Sequence, residues 1–180
     1  MTERLEAAIR KSWLLSGILG RFHEIDLPEC WLVAGAIAQT VWNLSGGYPA
    51  ERGIKDADIV YYDAADLSAE AEAAHELRIR ALFAHLPIKL DVKNEARVHL
   101  WHEKVFGYSI RPYTSVGSAI ASFPARQLRS GCAGTPESSN RLCHSASTIF
   151  SSSWSGPTKC RLRRRFTRRR WLDGGRCGRI

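Results

Sequence analysis

Ile54-Lys55-Asp56-Ala57-Asp58-Ile59-Val60-Tyr61-Tyr62-Asp63 decides how this 180-residue chain is read. Asp56 and Asp58 stand two apart and run directly into the apolar segment Ile59 to Tyr62. On an extended chain, residues i and i+2 project to one face, so the two carboxylates stand side by side at the start of a strand that must also enter a core. Two anions that close repel each other unless a cation lies between them, and hard divalent ions such as Mg2+ take oxygen ligands of this kind. The ordinary alternative is a solvated turn ahead of a strand, because charge clusters serve structure as often as chemistry.

Two other segments shift the balance. Upstream, Trp31-Leu32-Val33-Ala34 is a short apolar run that ends at Gly35-Ala36, and Ile37, Val41, Trp42 and Leu44 follow at helical spacing. A strand that turns through glycine into a helix offers backbone N–H groups and a positive helix end to a phosphate. Downstream, Ile88 to Lys93 is a second strand candidate, with Asp91 between Leu90 and Val92. A lone Asp in that setting ordinarily faces water from an edge strand; the alternative is that it completes a three-carboxylate metal site.

Taken in order, these pieces resemble the nucleotidyltransferase fold of the DNA polymerase β superfamily. Its pattern is a glycine turn, then Asp-x-Asp on a strand, then a third acidic residue on a neighbouring strand. Gly35-Ala36, Asp56-Ala57-Asp58 and Asp91 occupy those places. More narrowly, W-L-V-A-G-A-I-A-Q-T-V-W-N, D-A-D-I-V-Y-Y-D and L-D-V-K-N-E-A-R-V-H-L-W resemble a bacterial and fungal family of small nucleotidyltransferase-like proteins, over about residues 5–124. The superfamily commonly has Ser or Gly after the glycine, whereas Ala36 has no hydroxyl to offer a phosphate.

The resemblance implies an α/β (α+β) core, with a mixed β-sheet flanked by helices. It implies Mg2+ (or Mn2+) bound by Asp56, Asp58 and Asp91, a nucleoside triphosphate as substrate, and Gly35-Ala36 meeting the phosphates through backbone N–H groups. Two such ions activate the attacking hydroxyl and stabilise the leaving pyrophosphate. The acceptor is open: a small molecule, a protein or an RNA end all satisfy the sequence. The rival from another class is a non-catalytic nucleotide- or RNA-binding protein, which Ala36 favours.

Charge divides the chain. The net charge of +8 suggests an anionic partner only until it is split by region. Residues 1–125 hold 13 basic and 16 acidic side chains, a balance of −3, and residues 126–180 hold 13 and 2, a balance of +11. Cysteine follows the same division, with Cys30 alone in the first part and Cys132, Cys143, Cys160 and Cys177 in the second. No pair has zinc-knuckle spacing, nothing at the N-terminus reads as a signal peptide, and no apolar run approaches the ~20 residues of a membrane span. The expectation is a soluble cytoplasmic protein.

Along the chain, Leu5, Ile9, Trp13, Leu14 and Leu19 predict a helix over 3–20. Gly46-Gly47-Tyr48-Pro49 stops the helix that follows Gly35. Asp66 is placed to cap a helix over about 67–86, Asn94 begins another through about Phe106, and Ser115 to Ser122 form a short last one. His99 and His102 are three apart on one helix, a spacing that permits a shared metal but more often lies on a surface or caps a core. Lys93 reads as a solvated strand lysine with a lesser claim on phosphate.

After Ala125 apolar periodicity stops, and Ser, Arg, Gly and Cys dominate through S-S-S-W and R-L-R-R-R-F-T-R-R-R. Two readings compete: a disordered basic arm that neutralises phosphates, or an out-of-frame translation. If the true frame begins on the third base of each codon, the first two bases of a readable codon fix the last two of each hidden one. With one base of each hidden codon free, residues 126–133 can then hide T-A-T-A-V-G-V-R, residues 144–151 can hide P-F-G-F-D-D-L-F, and the last ten can hide V-A-R-W-R-P-M-W-P-H. The first two and the closing W-P resemble the way this family continues, which favours the frame break. The expected organisation is a C-terminally incomplete domain at 1–124 and a tail at 125–180 without a packed fold, leaving the Asp91 strand or its neighbour with an unpaired edge.

Overall fold

The periodicity that reads as one helix over 3–20 is cut at Ser12. The computed structural model, which describes residues 2–33, 35–123 and 131–133, has α1 at Thr2–Lys11 and α2 at Trp13–Gly20. Ser12 is the N-cap of α2: its Oγ accepts the Leu15 N–H at 3.2 Å and donates to Glu51 at 2.8 Å. A serine at this position offers the backbone a partner outside the helix, and apolar spacing does not register that competition.

The chain continues through β1 (Trp31–Val33), α3 (Gly35–Ser45), β2 (Asp56–Tyr61), α4 (Ala69–Leu82), β3 (Lys89–Asn94), α5 (Val98–Phe106), α6 (Val116–Ser122) and β4 (Gly131–Ala133). The cap of α4 is Ser68, whose Oγ accepts the Ala71 N–H, and not Asp66 as expected. Asp66 instead accepts the Ser68 N–H at 2.8 Å, closing the turn before the helix. The 67–86 expectation therefore shortens at both ends. Gly107 ends α5 in the left-handed conformation (φ 80°) that glycine adopts without penalty.

Among the described residues, four strands form a mixed sheet in the order β3-β2-β1-β4. β2 and β3 are parallel, whereas β1 runs antiparallel to both β2 and β4. This is the α+β arrangement with a mixed sheet that the sequence predicts. β4 falls within the segment 125–180 that composition sets apart, and the other residues of that segment lie outside those described.

One face of the sheet makes the core. Leu32, Ala57, Ile59, Tyr61, Leu90 and Val92 pack there against Ile9, Leu15 and Ile18 of the first two helices, Ile37 of α3, Ile79 of α4 and Phe83 just after it. On the other face a smaller cluster joins Val33 and Val60 to Val116 and Ile120 of α6. Glu29 anchors α6 by accepting the Val116 N–H at 3.1 Å.

β3 is an edge strand, and side chains of α4 occupy its outer edge. Arg80 donates to the Leu90 carbonyl at 2.8 Å, and Glu72 accepts the Asn94 N–H at 2.9 Å. Covering an edge in this way removes a template for pairing with another chain. The unpaired edge expected at the Asp91 strand thus has side-chain partners at both ends.

Candidate active site

Side-chain alternation and register together build the site. Asp58 is the Cα partner of Val33 on one side and of Asp91 on the other, so these three stand in a row across β1, β2 and β3. Their neighbours one residue along, Leu32, Ile59 and Val92, face the core. Asp56 shares the face of Asp58 and lies opposite Lys89. Asp56 and Asp58 are partly exposed, while Asp91 is 2% exposed.

Val33 ends β1 two residues before Gly35, the first residue of α3. The N-terminus of this 11-residue helix therefore follows directly from the strand that flanks Asp58. The first N–H groups of a helix have no intrahelical partner and carry the positive end of its dipole. Among the described residues, a Cβ added at Gly35 would meet nothing within 4 Å. Ala36 has its side chain in the core, which leaves its backbone N–H as what it can offer a ligand.

The surroundings of Asp91 were not legible in the sequence. Its Oδ1 lies 3.2 Å from Lys89 Nζ and 3.3 Å from Arg80. Arg80 also pairs with Glu76, and Lys93 reaches Glu72 at 3.4 Å and Glu76 at 3.3 Å, so Lys93 is an ion-pair partner rather than a solvated lysine. Glu72 holds Arg97 at 2.9 Å as well. The spacing of Glu72, Glu76 and Arg80 at i, i+4 and i+8 places the three on one helix face but does not show which strand that face meets.

The structural reading holds for His102. His102 is buried, with Nδ1 3.0 Å from the Tyr108 carbonyl and its ring 4.6 Å from that of Phe106. Among the described residues, no three His, Cys, Asp or Glu side chains are grouped closely enough to hold one metal ion. The donor chemistry on the Asp56-Asp58-Asp91 face is nonetheless that of a hard divalent cation: carboxylate oxygens on adjacent strands, beside a helix N-terminus. At its third position that face carries ammonium and guanidinium groups of the chain itself.

A family model for nucleotidyltransferases matches residues 20–169. The chain belongs to this nucleotidyltransferase family. Membership implies a role in nucleotidyl transfer and a nucleoside triphosphate as substrate. An NMR structure described as revealing a CCA-adding enzyme head domain is similar over 76% of this chain and 67% of its own, at 26% identity and a TM-score of 0.60. No curated protein matches the chain significantly. Among the described residues, no helix is long and apolar enough to cross a membrane.

Proposed function

We propose that this chain transfers a nucleoside monophosphate from a nucleoside triphosphate to a hydroxyl acceptor, using Mg2+ (or Mn2+) held by Asp56, Asp58 and Asp91. The observation that carries this reading is the register that sets Asp58 between Val33 and Asp91, on the strand next to the one that leads into Gly35. When bound, the metal supplies charge neutralisation to the phosphates and acidifies the attacking hydroxyl. The acceptor oxygen forms a bond to the α-phosphorus while the bond to the bridging oxygen breaks, and pyrophosphate leaves. The proton shed by the hydroxyl passes to a carboxylate of the same face or to water. Gly35 and Ala36 meet the phosphates with N–H groups that the helix itself does not use.

Among acceptors, the balance of −3 over residues 1–125 weighs against a long RNA and towards a hydroxyl on a small molecule or a protein. The likeness to a CCA-adding enzyme head domain keeps an RNA end in the comparison. Transfer of label from an α-phosphate-labelled nucleotide to one of these three acceptor classes, abolished in Asp58→Asn, tests the activity. Nucleotide binding without transfer supports the second reading, a non-catalytic nucleotide-binding protein, which the Lys89 and Arg80 contacts on Asp91 favour.

The frame break after Ala125 is a further part of the proposal. The pairing of residues 131–133 with β1 and the family match through residue 169 both draw that segment towards the domain, so the proposal stands on the genetic-code pattern alone. The nucleotide sequence across the codons for Phe123 to Arg129 decides it.

A further inference from the structure

Of the three carboxylates on the site face, Asp91 is the buried one, and two cations of the chain lie against its Oδ1. The two are held differently. Arg80 is fixed by its bond to the Leu90 carbonyl at 2.8 Å and by Glu76. Lys89 pairs with Asp91 at 3.2 Å through a side chain that is 60% exposed. An exposed ammonium on a flexible four-carbon stem can reach more than one position.

We propose that Lys89 is an exchangeable counter-ion of the site. Without metal, its ammonium neutralises Asp91 across from Asp58. When a divalent cation reaches the carboxylates, Lys89 leaves Asp91 and places its charge on the triphosphate of the incoming nucleotide. This rests on the functional reading above and adds to it a residue that both delays metal binding and recognises the nucleotide. Carboxylates gathered on one face need positive charge at every stage, and a mobile lysine supplies it before the metal arrives. An exposed ammonium on a flexible stem is released from Asp91 at less cost than a guanidinium fixed by further partners.

The test uses the full chain and two ligands. Mn2+ alone is titrated by the electron paramagnetic resonance of the free ion, and a non-hydrolysable nucleoside triphosphate analogue with Mn2+ is titrated by calorimetry. Lys89→Met and Lys89→Gln should bind Mn2+ alone about 2–5-fold more tightly, the range of one exposed ion pair, and should bind the nucleotide more weakly by a similar factor. Lys89→Arg should restore nucleotide affinity. Opposite shifts in the two titrations support the exchange; unchanged affinities, or a fall in both, overturn it. A separate control is Asp91→Asn. If it leaves Mn2+ affinity as in wild type, the carboxylates are not the metal site, and the functional reading fails irrespective of Lys89.

Discussion

Leu32, Ile59 and Val92 lie side by side on the helix-covered face of the sheet, and one residue along the same strands Val33, Asp58 and Asp91 form the corresponding row on the other face. The first row is wholly apolar and buried, while the second carries two carboxylates beside a helix N-terminus. The difference teaches how the site is positioned. A slip of one residue would exchange the two faces, and burying Asp58 in place of Ile59 is prohibitive, so the packing of one face fixes the register of the other. The core row holds the strands in place, and the acidic row is free to be chosen for chemistry.

The sharpest way to break this division is to change adjacent residues. Asp58→Asn should lower nucleotidyl transfer by at least about 10²-fold while leaving the thermal midpoint close to wild type. An equal collapse of fold and activity would show that the faces are not separable. Ile59→Ala, the next residue, should do the reverse. It removes a fully buried side chain and should cost about 2–5 kcal/mol in urea unfolding, with the activity of the folded fraction retained.

A smaller effect is expected at the boundary between the faces. Glu72→Ala removes the acceptor of the Asn94 N–H and the partner of Arg97 and Lys93. It should cost about 1–3 kcal/mol and accelerate hydrogen exchange at the Asn94 amide, while Glu72→Gln, which keeps an acceptor, should cost less. If exchange at Asn94 is unchanged, α4 does not protect the edge of β3.

The smallest effect at neutral pH concerns Cys30, which packs against the core face. Burial pushes its thiol from 9.0 up to about 12, with Arg78 acting weakly in the opposite direction. The neutral thiol is the form the fold favours, so its contribution is complete below pH 9.0 and is lost as pH rises towards 12. At pH 8, Cys30 should resist alkylation in the folded chain and react in urea; rapid labelling under native conditions would place it outside the core.

Much of the site face was legible because it depends on local pattern. Alternation around Asp56 and Asp58, the glycine after an apolar run, and Asp91 between Leu90 and Val92 each place a residue on a face before any contact is known. The observed strands start within a residue or two of the expected ones, apart from β2, which already includes both aspartates. What escaped depends on competition or distance. Ser12 and Ser68 decide helix starts through a single hydroxyl each, against an apolar pattern that runs on past them. Lys89, Arg80, Glu72 and Glu76 acquire their roles only when α4 lies along β3, a geometry that spacing within one helix does not determine. β4 lies in a stretch whose composition gives no strand signal.

The strand β1 has a consequence for the order in which the protein is made. Its inner partner β2 follows after some two dozen residues, but its outer partner β4 is synthesised about a hundred residues later. At the pace of translation, roughly 5–20 residues per second, the Trp31–Val33 edge waits for seconds on the ribosome with its backbone groups unanswered. A chaperone that binds short apolar strands would find its opportunity in that interval, and a chain interrupted before Ala133 would carry the open edge permanently.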